Sequence, residues 1–148
     1  MSDLNDELPV EENLSLFGYF VKCLKNYAVF EGRARRKEFW GFYLFATIFS
    51  TMLGFVVGIA IGIISAITGI DRGILLLGWT VFLQLVIFVP CLSLLFRRLH
   101  DTGRSGLNIL WNFTIIGMIP VWIWTWFCDS QPGTNSYGPS PKYPDMDD

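Results

Sequence analysis

Ten residues in two short stretches hold most of the chemistry available to this chain. One stretch, Arg97 to Gly106, reads RRLHDTGRSG and contains three arginines, the single histidine and an aspartate. The other, Gly32 to Trp40, reads GRARRKEFW. Guanidinium groups present paired donors that match phosphate and carboxylate oxygens. Arg33, Arg35, Arg36, Lys37, Arg97, Arg98 and Arg104 therefore point to anion binding, with Glu38 and Asp101 placed to orient some of them. The plainer alternative is a topology signal, in which Glu38 and Asp101 form salt bridges that fix helix ends. His100, Asp101 and Ser105 bring imidazole, carboxylate and hydroxyl into one loop. A catalytic triad requires these groups in a hydrogen-bonded line, usually from separate elements. Near-neighbours in one loop do not supply that line, so no catalytic residue is assigned. Ser105 instead reads as the cap of the helix that follows.

The elements that position these residues are apolar. The 148-residue chain is 52% hydrophobic and 16% charged, with a mean hydropathy of +0.44. Soluble domains carry about 25% charged residues, so the balance indicates a lipid-embedded chain. Three long apolar runs follow the first basic stretch, over about 39–67, 73–96 and 107–127, with Pro90 and Pro120 inside the second and third. Each reaches the roughly 20 residues that a membrane crossing needs. Ahead of them, Phe17, Phe20, Val21, Leu24, Tyr27 and Ala28 recur at helical spacing between Lys22, Lys25 and Asn26. Residues 14–30 are short for a crossing and would bury two lysines. They read as an amphipathic helix in the membrane interface, with packing on the protein itself as the alternative. The fold class is all-α integral membrane: three transmembrane helices preceded by an interfacial amphipathic helix. Residues 1–13 form an acidic tail expected to be disordered, without the features of a signal peptide. Residues 128–148, rich in turn formers, form a second tail, either disordered or a loop docked on the outer face.

Charge distribution sets the expected orientation. Nine of the eleven Lys and Arg fall within Lys22–Lys37 and Arg97–Arg104. Basic residues in short loops are retained in the cytoplasm, which places the N-terminus inside and, after three crossings, the tail at 128–148 outside. Spans one and two are antiparallel, which brings residues 33–38 toward residues 97–104. Phe39, Trp40, Phe96 and Trp111 would line the inner boundary, and Trp79, Trp122, Trp124 and Trp126 the outer one. Cys23 and Cys128 would then face opposite compartments, and the spacing of Cys23, Cys91 and Cys128 indicates neither a disulfide nor a metal site. No cofactor is implied. Gln84, Asn108 and Asn112 are the polar residues within the runs, and no ionisable group lies deep in any of them. That argues against active transport by one copy.

Ala46, Ser50, Gly54, Gly58, Gly62 and Ala66 repeat every fourth residue and share one helix face. Small residues there permit close approach of another backbone, from within the chain or from a second copy. The expected partners are membrane lipids, with a homo-oligomer or another membrane protein as further possibilities, and not nucleic acid. Three activities are compatible with these features. The chain binds anionic headgroups or an acidic partner, forms part of an oligomeric channel or transporter, or acts on headgroups through His100.

Three blocks resemble the DUF805 family of small bacterial inner-membrane proteins: NYAVFEGRARRKEFW over Asn26–Trp40, FRRLHDTGRSG over Phe96–Gly106, and a tail with Gly133-Thr134-Asn135 and Tyr137-Gly138-Pro139. The resemblance spans about residues 17–141. The tail departs from it, being shortened before Asn135 and carrying Ser140 where an acid is frequent. The resemblance implies a bacterial inner-membrane location. It also implies that Arg33, Arg35, Arg36, Arg97, Arg98, His100, Asp101 and Arg104 belong to the family's characteristic face, and it brings no catalytic residue.

Overall fold

The computed structural model describes residues 14–143; the acidic segment 1–13 lies outside them. Four α-helices run in chain order: α1 Leu16–Lys25, α2 Arg36–Thr68, α3 Arg72–Asp101 and α4 Ile115–Trp126, with a 3₁₀ helix, Gly106–Phe113, before α4. The described residues contain no β-strand, only an isolated bridge between Asn135 and Gly138. The all-α membrane class stands. An amphipathic helix is followed by two long apolar helices and a shorter one.

α1 starts where the Ser15 hydroxyl accepts from the Gly18 amide. It buries Tyr19 and Cys23 against the start of α2 while Leu16, Phe17 and Leu24 stay exposed. Phe17 meets Phe45 at 5.2 Å and Phe20 meets Phe42 at 6.1 Å. α2 and α3 hold 33 and 30 residues, about 50 and 45 Å at 1.5 Å per residue. Only 6% of the most apolar stretch of each is buried, which separates them from the core helices of a soluble domain. Both start or end beyond the expected apolar runs: α2 includes Arg36, Lys37 and Glu38, and α3 continues through Arg97 to Asp101. Gly69, at φ +73°, closes α2 in the left-handed conformation that glycine adopts without strain. Asp71 then caps α3 by accepting from the Ile74 amide at 3.1 Å.

The third apolar run departs from the continuous helix expected over 107–127. It is divided at Thr114, whose extended backbone ends the 3₁₀ helix and whose hydroxyl caps α4 by accepting from Gly117 at 3.1 Å. A methyl at Gly117 would lie 2.6 Å from the Trp111 carbonyl oxygen, so glycine is what lets the two limbs meet. The eight-residue 3₁₀ limb and the twelve-residue α4 limb measure about 16 and 18 Å, each well short of a roughly 30 Å hydrocarbon core. The first leaves the end of α3 with Ser105 as its cap, as expected. The second returns there, since the Thr125 carbonyl accepts from Arg98. The tail after α4, as far as residue 143, therefore sits at the same end of the molecule as the basic stretches. Its expected place on the opposite face is corrected, and Cys128 and Cys23 likewise lie at one end. Trp126 meets Trp40 at 5.5 Å, so Trp122 and Trp126 also belong to the boundary assigned to Trp40.

Candidate functional site

The basic stretches do converge. The Ala34 amide donates to the Arg97 carbonyl at 3.0 Å, tying the loop before α2 to the end of α3. Two buried charge clusters form around this contact. In the first, Asp101 is fully buried and accepts from Arg33 Nε at 3.2 Å, Arg98 Nη1 at 2.6 Å and Ser130 Oγ at 2.6 Å. The remaining donors of the two guanidiniums reach main-chain carbonyls. Arg98 Nε donates to Thr125 at 3.0 Å and its Nη2 to Cys128. Arg33 Nη1 donates to Gly133 at 2.8 Å and Gly138 at 3.1 Å, and its Nη2 to Gln131 and to Asp101's own carbonyl. An ion taken from water costs several kcal/mol unless its charge and hydrogen bonds are met. Here the tail supplies much of that compensation. Arg33, Arg98 and Asp101 thus form a clasp that holds 125–138 against the helix ends.

The second cluster lies under α1. Buried Glu38 pairs with Arg97 at 2.7 Å and with Lys22 at 3.2 Å, and the Cys23 thiol donates to it at 3.5 Å. This joins α1, α2 and α3. His100 lies beside the clasp but in no relay. Its Nδ1 contacts the Gly32 carbonyl at 3.1 Å, its ring stacks on Tyr137 at 3.8 Å and 3°, and its carbonyl accepts from Asn135 at 3.0 Å. The Asp101 carboxylate is committed to Arg33, Arg98 and Ser130, and Ser105 caps the 3₁₀ helix. The arrangement is structural rather than nucleophilic. Arg104 lies apart, its guanidinium 4.3 Å over the Trp124 ring.

An open cleft adjoins the clasp. A cavity of about 340 Å³ is lined by Arg35, Arg36, Lys37, Asp129 and Lys142. Arg36 Nη2 pairs with Asp129 at 3.1 Å and Lys142 with the other carboxylate oxygen at 2.5 Å. Arg36 Nη1 also donates to the Phe127 carbonyl at 3.3 Å, and Arg35 to Pro141 at 3.3 Å. The side chains of Arg36, Asp129 and Lys142 are 41%, 42% and 35% exposed, unlike every ion of the clasp. Burial pushes the Asp129 carboxyl up, but the hydrogen bond from Lys142, the Ser130 amide and the charge of Arg36 overcome it and hold it at about 2. The Lys142 ammonium is raised by its hydrogen bond to Asp129. The cleft opens beside the start of α2, which has no side-chain cap, and the uncapped start of a long helix favours an anion.

The sequence-derived residues thus divide. Arg33, Arg98 and Asp101 are buried partners of one another and of the tail, Arg97 is the buried partner of Glu38, and Arg35 and Arg36 line the cleft; His100 packs on the tail through Tyr137 and Asn135, and Arg104 joins none of these groups. Sequence reasoning missed Asp129, Ser130 and Lys142, because it placed the tail across the membrane. The available signal was the tail's turn chemistry: Gly133 and Gly138 at φ +65° and +119° shape a loop whose carbonyls point inward to Arg33.

Comparison with known proteins agrees with the blocks read above. The family model described as a protein of unknown function, DUF805, matches residues 27–139. The inner membrane protein YhaH of Escherichia coli strain K12 is 37% identical over 135 residues, covering 84% of this chain and 96% of that protein. The inner membrane protein YhaI of the same strain is 38% identical over 127 residues, with the same coverage. No solved structure matches the chain.

Proposed function

Because the chain belongs to the DUF805 family, we propose that it is a membrane module whose basic end faces the cytoplasm and binds phosphate-bearing anions in the cleft at Arg35, Arg36, Lys37 and Lys142. Its location is the bacterial inner membrane, as its relatives' names state for them. The observation that carries the reading is the cleft itself, lined among the described residues by Arg35, Arg36, Lys37 and Lys142 around Asp129. Anion recognition moves there from Arg33 and Arg98, because their donors are taken up by Asp101 and by tail carbonyls. The cytoplasmic orientation follows from retention of basic residues on that side. The docking of the tail on the basic end supports a shared side for residues 14 and 143 as well.

Each basic residue near an anionic leaflet contributes about 1 kcal/mol of attraction. The double variant Arg36→Gln, Lys37→Gln should therefore lose roughly thirtyfold in retention of phosphatidylglycerol. Native mass spectrometry from a neutral detergent reads this directly, and unchanged retention would count against the site. Orientation is checked by fusing a reporter that is active only in the periplasm to either terminus. Both fusions should be silent, and an active C-terminal fusion would refute the shared side.

A further inference from the structure

We propose that the reversal between the 3₁₀ helix and α4 is an interaction surface for a second copy of this chain, and that it docks on the exposed Thr47–Thr51 face of that copy's α2. The proposal goes beyond the anion site and does not rest on it. The two limbs leave the basic end and reverse at Thr114, which puts the reversal near the middle of a roughly 30 Å hydrocarbon core. Irregular backbone is tolerated at that depth where protein or water covers it, because lipid tails offer no hydrogen-bond partner. Thr114 meets its own needs. Its amide and hydroxyl donate to the Trp111 carbonyl, and its hydroxyl and carbonyl accept from the Gly117 and Met118 amides. The next two amides, those of Ile115 and Ile116, donate to no acceptor among the described residues. The Asn112 side chain, two residues before Thr114, also makes no hydrogen bond among them. Phe113, Ile115 and Ile116 are 87%, 83% and 85% exposed, more than any other large apolar side chain described. The reversal therefore presents unmet donors at its most open point.

α2 carries the matching acceptors. Thr47 and Thr51 are exposed and, one turn apart, share a face. Each hydroxyl donates to the carbonyl one turn back, Thr47 to Tyr43 at 2.7 Å and Thr51 to Thr47 at 2.8 Å, which leaves its oxygen free to accept. The depths agree as well. Trp40 and Trp126 meet at 5.5 Å near the boundary. Thr51 lies eleven residues beyond Trp40 in α2, and Ile115 eleven residues before Trp126 in α4. Each interval measures about 16 Å. Copies inserted in the same direction and related by a two-fold axis along the membrane normal keep equal depths, so each reversal reaches Thr51 of the other copy and the contact is made twice. The chain's own α2 does not cover Ile115 and Ile116, as their exposure shows. Hydrogen bonds between helices are a force for association that apolar burial does not supply in lipid.

The experiment reads energy transfer between differently labelled copies of the full chain in phosphatidylcholine liposomes, over a series of protein-to-lipid ratios. The zwitterionic lipid keeps the result independent of the anion site. Wild type should dimerise. Thr47→Val with Thr51→Val should weaken association roughly tenfold, and Asn112→Leu several-fold. Thr80→Val removes a hydroxyl of the same kind from α3, one that donates to Leu76 at 2.8 Å, and should change nothing. A wild type that stays monomeric overturns the proposal. So does a dimer that the α2 pair leaves intact, or that Thr80→Val weakens as much. A second measurement leaves α2 unaltered: a benzophenone side chain placed at Ile116 and photoactivated in native membranes. Adducts of twice the chain's mass, joined within residues 47–54, are the expected product. Adducts with lipid alone, or with a different protein, overturn the assignment of the partner.

Discussion

The two ends of the α2–α3 pair are held together by different physics. At the basic end, Arg33, Glu38, Arg97, Arg98 and Asp101 are all buried, and the packed side chains around them include Phe39, Phe42 and Leu94. Toward the Gly69 turn, almost every large side chain faces outward and Ile61 is the buried one. The glycines of α2 show the contrast within a single helix. A methyl at Gly41 would lie 2.7 Å from the Leu16 carbonyl oxygen, whereas one at Gly54, Gly58 or Gly62 would meet nothing within 4 Å. Close helix approach was expected along the whole ridge from Ala46 to Ala66. The chain itself realises it near the boundary, where Ala46 packs on the core, and not at the three glycines. Lipid tails are as apolar as leucine, so burial of apolar area gives two helices little reason to associate in the bilayer. Charges that must be paired supply the reason at the boundary.

The sharpest way to break this comparison is to remove the charge at the centre of the clasp. Asp101→Ala leaves Arg33 and Arg98 buried without their carboxylate and should cost about 3–5 kcal/mol. It should also release the tail, which limited proteolysis after Gln131 would detect alongside a lowered thermal midpoint in detergent. An unchanged midpoint would mean that tail carbonyls alone suffice for the two guanidiniums.

The glycines give the next largest effect and test both regions at once. Gly41→Ala presses on backbone that has no room to move away and should destabilise by about 1–3 kcal/mol. Gly58→Ala has open space and should be neutral or stabilising by up to about 1 kcal/mol, the usual gain within a helix. Thermal unfolding of the two variants should move in opposite directions. If Gly58→Ala instead destabilises in bilayers and cross-linking of copies disappears with it, the open half of the ridge is filled by a second molecule.

Much of this was legible in the residues. The period and length of the apolar runs gave α2 and α3, and antiparallel geometry brought Arg33–Glu38 to Arg97–Asp101. The third run was misread because apolarity reports burial in lipid without reporting direction. Its reversal depends on two small features, the Thr114 hydroxyl as a helix cap and the bare Cα of Gly117 under Trp111. Neither interrupts a hydropathy profile. One misplaced reversal then moved the whole tail to the other side, and with it Asp129, Ser130 and Lys142. Cation clusters were visible in sequence, but their division into clasp and cleft was not. It depends on which carbonyls the tail delivers to Arg33 and Arg98.

Asp129 sharpens that division with the smallest effect. It bridges Arg36 and Lys142 and so occupies, from within the chain, the ground that an incoming phosphate would take. Asp129→Asn keeps the shape and removes the competing charge, so phosphatidylglycerol retention should rise by about two- to fivefold, the scale of one exposed ion pair. A fall instead would show that Asp129 holds Lys142 in position rather than competing with the ligand. The pH dependence separates these cases further. The carboxyl sits at about 2, below its ordinary 3.8. A depressed carboxylate contributes its stabilisation fully above the ordinary value and loses it as pH falls through the depressed one. From pH 8 to pH 5 the bridge should stay intact, and the advantage of Asp129→Asn should be constant across that range. Only between about pH 4 and pH 2 should wild type approach the variant, as protonation removes the same charge that the substitution does. Retention curves that converge near neutrality would place the titrating competitor elsewhere in the cleft.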